Sequence, residues 1–241
     1  MQNPVKELRS AVLRSAILPL LFLAVCWIVF GLEIYFHESF SEYGIQPRSW
    51  KGLRGVVFMP FLHGDVQHLL NNSFAFLMLG TMLFFFYREI ALTVFMWVFF
   101  MSGIWTWSLA RSGVHIGASA IIYGLFSFLA LSGLIRRNKN LMALTFLVIF
   151  AHQGMVWGVL PTQPNISWEG HLSGLLAGIV LAIYFRKEGP QREVFPVDDD
   201  DTRNELRFGK YYWDEKKREE EARKKMEQEI IYHYKEDKSP E

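Results

Sequence analysis

The chain has one cysteine in 241 residues, Cys26, and it lies inside an apolar run. A single thiol excludes an intrachain disulfide and a cysteine-rich zinc site, and this one reads as a small packing residue. Charge is scarce through the middle of the chain. Between His68 and Phe185 only Arg88, Glu89, Arg111, Arg136, Arg137, Lys139 and Glu169 carry one. No His-Glu-x-x-His occurs that could hold a metal, and no two aspartates occupy separate apolar stretches, which argues against metal-dependent and paired-aspartate chemistry. No basic face suits a nucleic acid, and the net charge of +1 is a sum over unlike regions that says nothing of partners. The first apolar stretch is long and has no small-residue cleavage site after it, so it is expected to be a retained helix rather than a removed signal peptide.

Apolar stretches long enough to approach the width of a hydrocarbon core fall at about 16–34, 69–87, 90–109, 117–135, 141–160 and 168–185. They predict an all-α polytopic membrane protein with six spanning helices. The divisions are a cytoplasmic N-terminal segment over 1–15, a membrane domain over 16–185 and a charged cytoplasmic tail over 186–241. Lys6, Arg9, Arg14, Arg88, Arg136, Arg137, Lys139, Arg186 and Lys187 would share one side of the membrane, against Arg48, Lys51, Arg54 and Arg111 on the other. That excess puts both termini in the cytoplasm. The loop over about 35–67 is too long and too aromatic for a simple connection, and it is expected to fold into the outer interface. In the tail an acidic cluster, Asp198 to Asp201, and the aromatics Phe208, Tyr211, Tyr212 and Trp213 precede a mixed-charge run from Asp214 to about Ile231, whose spacing suits a solvated helix.

Two polar groups stand out against this apolar background. Ser119 lies in Gly117-Ala118-Ser119-Ala120 at the head of one stretch, and His171 in Gly170-His171-Leu172-Ser173-Gly174 at the head of another. Taken singly, a serine in a membrane helix usually bonds back to its own helix and a histidine is usually a satisfied packing residue. A hydroxyl and an imidazole that can meet at membrane depth are a site by default, because polar groups are expensive there. His68 and Asn72, four apart where the long loop enters the second stretch, share one helix face and can both donate hydrogen bonds. Glu169 is the acid nearest His171 in sequence, and an interfacial loop position is favoured for it over an orienting role.

With these residues in order, the chain resembles the rhomboid family of intramembrane serine proteases. The likeness rests on His68-x-x-x-Asn72, on Gly117-x-Ser119, on Tyr123 four residues further, and on His171 followed by Gly174 and Gly178, and it spans roughly residues 15–185. Two departures exist. Ala120 stands where the family often has glycine, and Arg54-Gly55 stands where many members carry a Trp-Arg pair in the first loop.

The resemblance implies a six-helix bundle with a structured loop between its first two helices. Ser119 would be the nucleophile and His171 its general base. His68, Asn72 and the Ser119 amide would stabilise the oxyanion. Tyr123 would stack on the imidazole, while Gly117, Gly174 and Gly178 support the site. It implies transmembrane proteins as substrates, the lipid bilayer as surroundings and no cofactor or metal; oligomeric state is not encoded. A catalytically inactive relative that binds transmembrane helices for quality control is the alternative, and retention of both Ser119 and His171 weighs against it. A transporter is disfavoured, since the stretches do not divide into repeated halves.

Overall fold

The computed structural model describes residues 4–161, 166–191 and 216–227. The chain separates into two compact units, Met1–Glu193 and Val194–Glu241. In the second, residues 216–227 are helical, with exposed one-turn ion pairs Lys224–Glu220 at 3.3 Å and Arg223–Glu227 at 3.8 Å. That agrees with the mixed-charge pattern there; the acidic cluster and the aromatics of the tail lie outside the described residues.

Every regular element described in the first unit is helical, apart from one isolated antiparallel bridge. Helix α1 (Pro4–Phe36) begins on a proline, whose missing N–H costs nothing at a first helical position. It carries the basic N-terminal residues on the same continuous helix as the first apolar stretch. The long loop that follows contains a 3-10 turn at Ser41–Tyr43, helices α2 (Trp50–Leu53) and α3 (Gly55–Phe58), and a second 3-10 turn at Met59–Phe61. Ser49 caps α2 by accepting from the Gly52 amide at 2.9 Å.

Hydrogen bonds then pin this loop to the bundle. Ile45 and His115 exchange two backbone bonds of 2.9 Å. Arg48 donates to the Ala110 carbonyl at 2.6 Å, and Trp107 Nε1 donates to the Ser49 carbonyl at 2.9 Å. The Arg54-Gly55 pair is part of the same lock. The Arg54 guanidinium lies 4.2 Å from the centre of the Tyr43 ring, and Gly55 abuts the backbone of Gly44 and Ile45 so closely that a Cβ would overlap it.

Helix α4 (Val66–Phe86) starts where Asp65 accepts from the His68 amide at 2.8 Å. A tight turn leads to α5 (Ala91–Leu109), and α6 (Ser119–Arg136) follows. Arg137, at φ +50°, ends α6 in a left-handed turn, and Asn138 caps α7 (Lys139–Ala151). Helix α8 (Trp168–Tyr184) closes the unit. Among the described residues five helices, α1, α4, α5, α6 and α8, are long and apolar enough to span a membrane, and the protein is a multi-pass membrane protein.

The fifth apolar stretch differs from the expected single helix over 141–160. It divides into the 13 residues of α7 and a 3-10 segment, Gln153–Val159. At about 1.5 Å per residue α7 is roughly 20 Å long, short of a hydrocarbon core of about 30 Å. Gly154 and Gly158 weaken any helical continuation. The carbonyls of Met155 and Gly158 bond across to side chains of α6 and α8 instead.

Helix α6 is the axis of the bundle, packed by α4, α5, α7 and most extensively by α8. Within the protein 72% of its 18 residues are buried, against 22% of an apolar 18-residue window of α1. The α6–α8 seam is backbone against backbone. A Cβ on Gly174 would overlap the Ala120 carbonyl, and one on Gly178 would overlap the Gly124 carbonyl and Ser127 Oγ. Ser127 Oγ donates across the seam to the Leu175 carbonyl at 2.8 Å. At the far end of α6, buried Arg136 donates to Ser132 and to the carbonyls of Phe185 and Glu188, satisfying main-chain acceptors left over where α8 ends.

Candidate active site

Three helix beginnings and a loop converge on one cavity of about 780 Å³ lined by His68, Asn72, Ser119, Tyr123, His152 and His171, among others. Its position follows from the local sequence. Gly117, at φ +104°, turns the chain into α6 in a conformation that L side chains rarely adopt. Its amide donates to the Met59 carbonyl at 2.9 Å, so the end of the long loop fixes the turn. The absent side chain also makes room: a Cβ there would stand 2.8 Å from both Cε1 and Nε2 of His68 and 3.5 Å from Asn72 Nδ2. Ser119 is the first residue of α6, so its amide is among those with no intrahelical acceptor.

Ser119 Oγ lies 2.9 Å from His171 Nε2, and His171 Nδ1 lies 2.8 Å from the Gly158 carbonyl. A carbonyl only accepts, so Nδ1 carries the proton and Nε2 presents its lone pair to the serine hydroxyl. Ser119 Oγ–H is thereby the donor, as a nucleophile awaiting a base requires. Tyr123, one turn after Ser119, stacks on the imidazole with centroids 4.3 Å apart and planes 14° apart, and its hydroxyl donates to the Met155 carbonyl at 2.8 Å. The ring is thus held on one face by tyrosine and at one edge by main chain. A Cβ at Gly158 would overlap the Tyr123 hydroxyl and stand 3.2 Å from His171 Nδ1, so this position must stay bare for the carbonyl to reach the imidazole.

Across the cavity Asn72 is buried and its Nδ2 lies 3.0 Å from His63 Nε2. Burial lowers the pKa of His63 to about 4. A neutral ring has one nitrogen that can accept, and Nε2 in that role takes a hydrogen bond from Asn72 Nδ2. The His63 ring also meets the His68 ring edge to face at 5.0 Å.

The sequence-selected polar residues Ser119, His171, Tyr123, His68 and Asn72 line this cavity, Gly117 abuts His68 and Asn72 beside it, and Gly174 and Gly178 stand further along the α6–α8 seam, at its close approaches to Ala120 and Gly124. Glu169 is engaged elsewhere: its carboxylate accepts from the Arg111 amide at 3.4 Å and pairs with the Arg111 guanidinium at 3.6 Å. Three contributors gave no clear sign in the sequence: the Gly158 carbonyl, the His63 acceptor, and a bond of 2.6 Å between His115 Nδ1 and Ser167 Oγ. Only the 52-residue separation shared by the pairs 115–167 and 119–171 could have pointed to the last. Among the described residues no three His, Cys, Asp or Glu side chains gather as a metal site would need.

Comparison with known proteins agrees with this architecture. The Rhomboid domain profile matches residues 50–188. An uncharacterised protein of Mycobacterium tuberculosis is 32% identical over 187 residues, covering 72% of this chain and 75% of its own. One from Mycobacterium leprae is 32% identical over 186 residues, covering 72% of each. A protein of Acanthamoeba polyphaga mimivirus, provisionally named a rhomboid protein, is 28% identical over 138 residues, covering 52% of this chain and 71% of its own. With more than half its length matched by that profile, the chain belongs to the rhomboid family.

Proposed function

We propose that this protein is an intramembrane serine endopeptidase that hydrolyses peptide bonds in or near the transmembrane segments of other membrane proteins. The observation that carries the reading is the 2.9 Å contact between Ser119 Oγ and a His171 whose Nδ1 proton is already committed to a main-chain carbonyl. Ser119 Oγ attacks the scissile carbonyl carbon as its proton passes to His171 Nε2. The tetrahedral oxyanion is met by the Ser119 amide and by donors from His68 and Asn72, with His63 holding the Asn72 amide in place. Preorganised donors of this kind are worth about 2.7–4 kcal/mol each. His171 then protonates the leaving amine, which leaves an ester on Ser119. Water, deprotonated by the same imidazole, hydrolyses that ester and restores both side chains. The bond from His171 Nδ1 to Gly158 strengthens while the ring is charged, doing the orienting work of a third residue.

Substrate segments need local helix weakness, since the amide of a helical peptide bond is tied up internally and shielded from attack. By connectivity, the cation-bearing turns after α4, α6 and α8 lie at the end of the bundle opposite the N-termini of α6 and α8, which supports cytoplasmic termini and a site in the outer half of the bilayer. The test is incubation of detergent-purified wild type, Ser119→Ala and His171→Ala with a membrane-anchored reporter, alongside a fluorophosphonate probe. Wild type should cleave and label, and neither variant should cleave. Cleavage surviving both substitutions would discard the mechanism. Correctly folded wild type that neither cleaves nor labels would favour a helix-binding role.

A further inference from the structure

One turn before each member of the Ser119–His171 pair stands a second hydroxyl and imidazole with the residue types exchanged. His115 precedes Ser119 by four, and Ser167 precedes His171 by four. His115 Nδ1 lies 2.6 Å from Ser167 Oγ, and His115 Nε2 lies 3.1 Å from the Arg111 carbonyl. Because the carbonyl only accepts, Nε2 bears the proton, Nδ1 is the acceptor and the Ser167 hydroxyl donates. The two imidazoles therefore hold opposite tautomers, each set by a main-chain oxygen.

Resting on the endopeptidase reading, we infer that His115 and Ser167 are positioning residues, a clamp that holds the start of α8 against the start of α6 and so sets the distance between His171 and Ser119. Three observations carry this. First, Ser167 is the N-cap residue of α8, where a serine hydroxyl normally accepts from the second or third helical amide, yet it makes no such bond and turns to His115 instead. Second, His115 is held in place: the residue is 4% exposed and its backbone exchanges both bonds with Ile45 of the long loop. Third, the Ser167 carbonyl accepts from the His171 amide at 3.1 Å, so the bonded path runs from the loop through imidazole and hydroxyl to the backbone of the base. Arg111 adds an outer contact, donating to the Ile166 carbonyl at 2.8 Å while it pairs with Glu169.

His115 and Ser167 also line the cavity, but neither bonds to Ser119 Oγ or to the His171 ring, so breaking the clamp should act mainly on the chemical step. A misplacement of about 1 Å can cost about 100-fold in rate. In steady-state cleavage of the membrane-anchored reporter, Ser167→Ala should lower kcat ten- to a hundredfold with KM within twofold. Ser167→Thr, which keeps the hydroxyl, should restore most of it. His115→Asn, whose side-chain oxygen can replace Nδ1 as acceptor, should retain more kcat than His115→Leu. The double variant Ser167→Ala/His115→Leu should be no worse than the poorer single one, as for two ends of one contact.

Hydrogen exchange supplies a readout independent of catalysis. Amides in the first turn of α8 should exchange faster in Ser167→Ala, also in a Ser119→Ala background where no proteolysis can occur. Wild-type kcat or wild-type exchange in Ser167→Ala would overturn the clamp. So would a loss carried by KM, or a folded Ser167→Thr that recovers nothing. A wild type that cleaves nothing, yet whose α8 exchange rises on Ser167→Ala, would sink the endopeptidase reading and leave the clamp standing.

Discussion

Two of the helix seams in the bundle, α6–α8 and α1–α4, are built in opposite ways. Between α6 and α8 the contact is main chain on main chain, with Gly174 on the Ala120 carbonyl and Gly178 on that of Gly124. Between α1 and α4 it is made by large side chains: Phe22 stacks on Phe76 with centroids 4.4 Å apart, and Pro19 packs over Gly80. Aromatic rings can rotate and slide to absorb a change of shape, whereas backbones at van der Waals distance cannot. The difference teaches that precision is concentrated at the seam joining Ser119 to His171, while the α1–α4 seam supplies packing with tolerance. In a bilayer, where the tails are as apolar as leucine, close packing and hydrogen bonding carry helix association.

Four substitutions test that contrast, in descending size. Ser119→Ala, which disturbs neither seam, should abolish reporter cleavage, a fall of about 10⁴-fold or more, with the thermal midpoint unchanged. Measurable turnover by this variant would detach the chemistry from the α6–α8 seam altogether. Asn72→Ala should lower kcat by about 10²- to 10³-fold with little change in stability; a loss confined to KM would remove Asn72 from the oxyanion role. Gly174→Leu should force α6 and α8 apart and cut kcat at least about tenfold while destabilising by about 1–3 kcal/mol, the usual cost of overpacking. Near-normal activity there would mean that the tight seam has slack after all. Phe22→Leu, in the tolerant seam, should cost less than about 1.5 kcal/mol, as a hydrophobic swap that can repack does, and leave kcat alone. If it impaired catalysis as much as Gly174→Leu, the contrast between seams would be broken.

What could be read from the sequence followed the physics that sequence records. Long apolar stretches mark helices because lipid leaves the backbone no other partner, and they located all the helices of the bundle. The stretch 141–160 reads as one helix, and the structure divides it, because hydropathy measures the affinity of side chains for lipid and is blind to where carbonyls go. Met155 and Gly158 leave the helix to serve Tyr123 and His171. Ser119 and His171 are legible as polar groups out of place in an apolar setting, His68 and Asn72 as two donors on one helix face, and Tyr123 only through the family resemblance. His115, Ser167 and His63 are not legible, because each lies at a loop or helix edge where a polar residue is unremarked, and its partner is fixed only by folding. The detailed contacts of the long loop were likewise hidden, since Arg54 and Gly55 act through Tyr43 and through the backbone of Gly44 and Ile45.

The oxygen that orients His171 belongs to the peptide unit of Gly158, and this has a genetic consequence. No codon change can delete a main-chain atom, so a side-chain scan would overlook this participant. Such a survey would reveal position 158 only as an intolerance to every larger residue, easily mistaken for a simple demand for space. Replacing the amide that follows Gly158 with an ester, which weakens that carbonyl as an acceptor without adding bulk, is the chemical edit that would expose it.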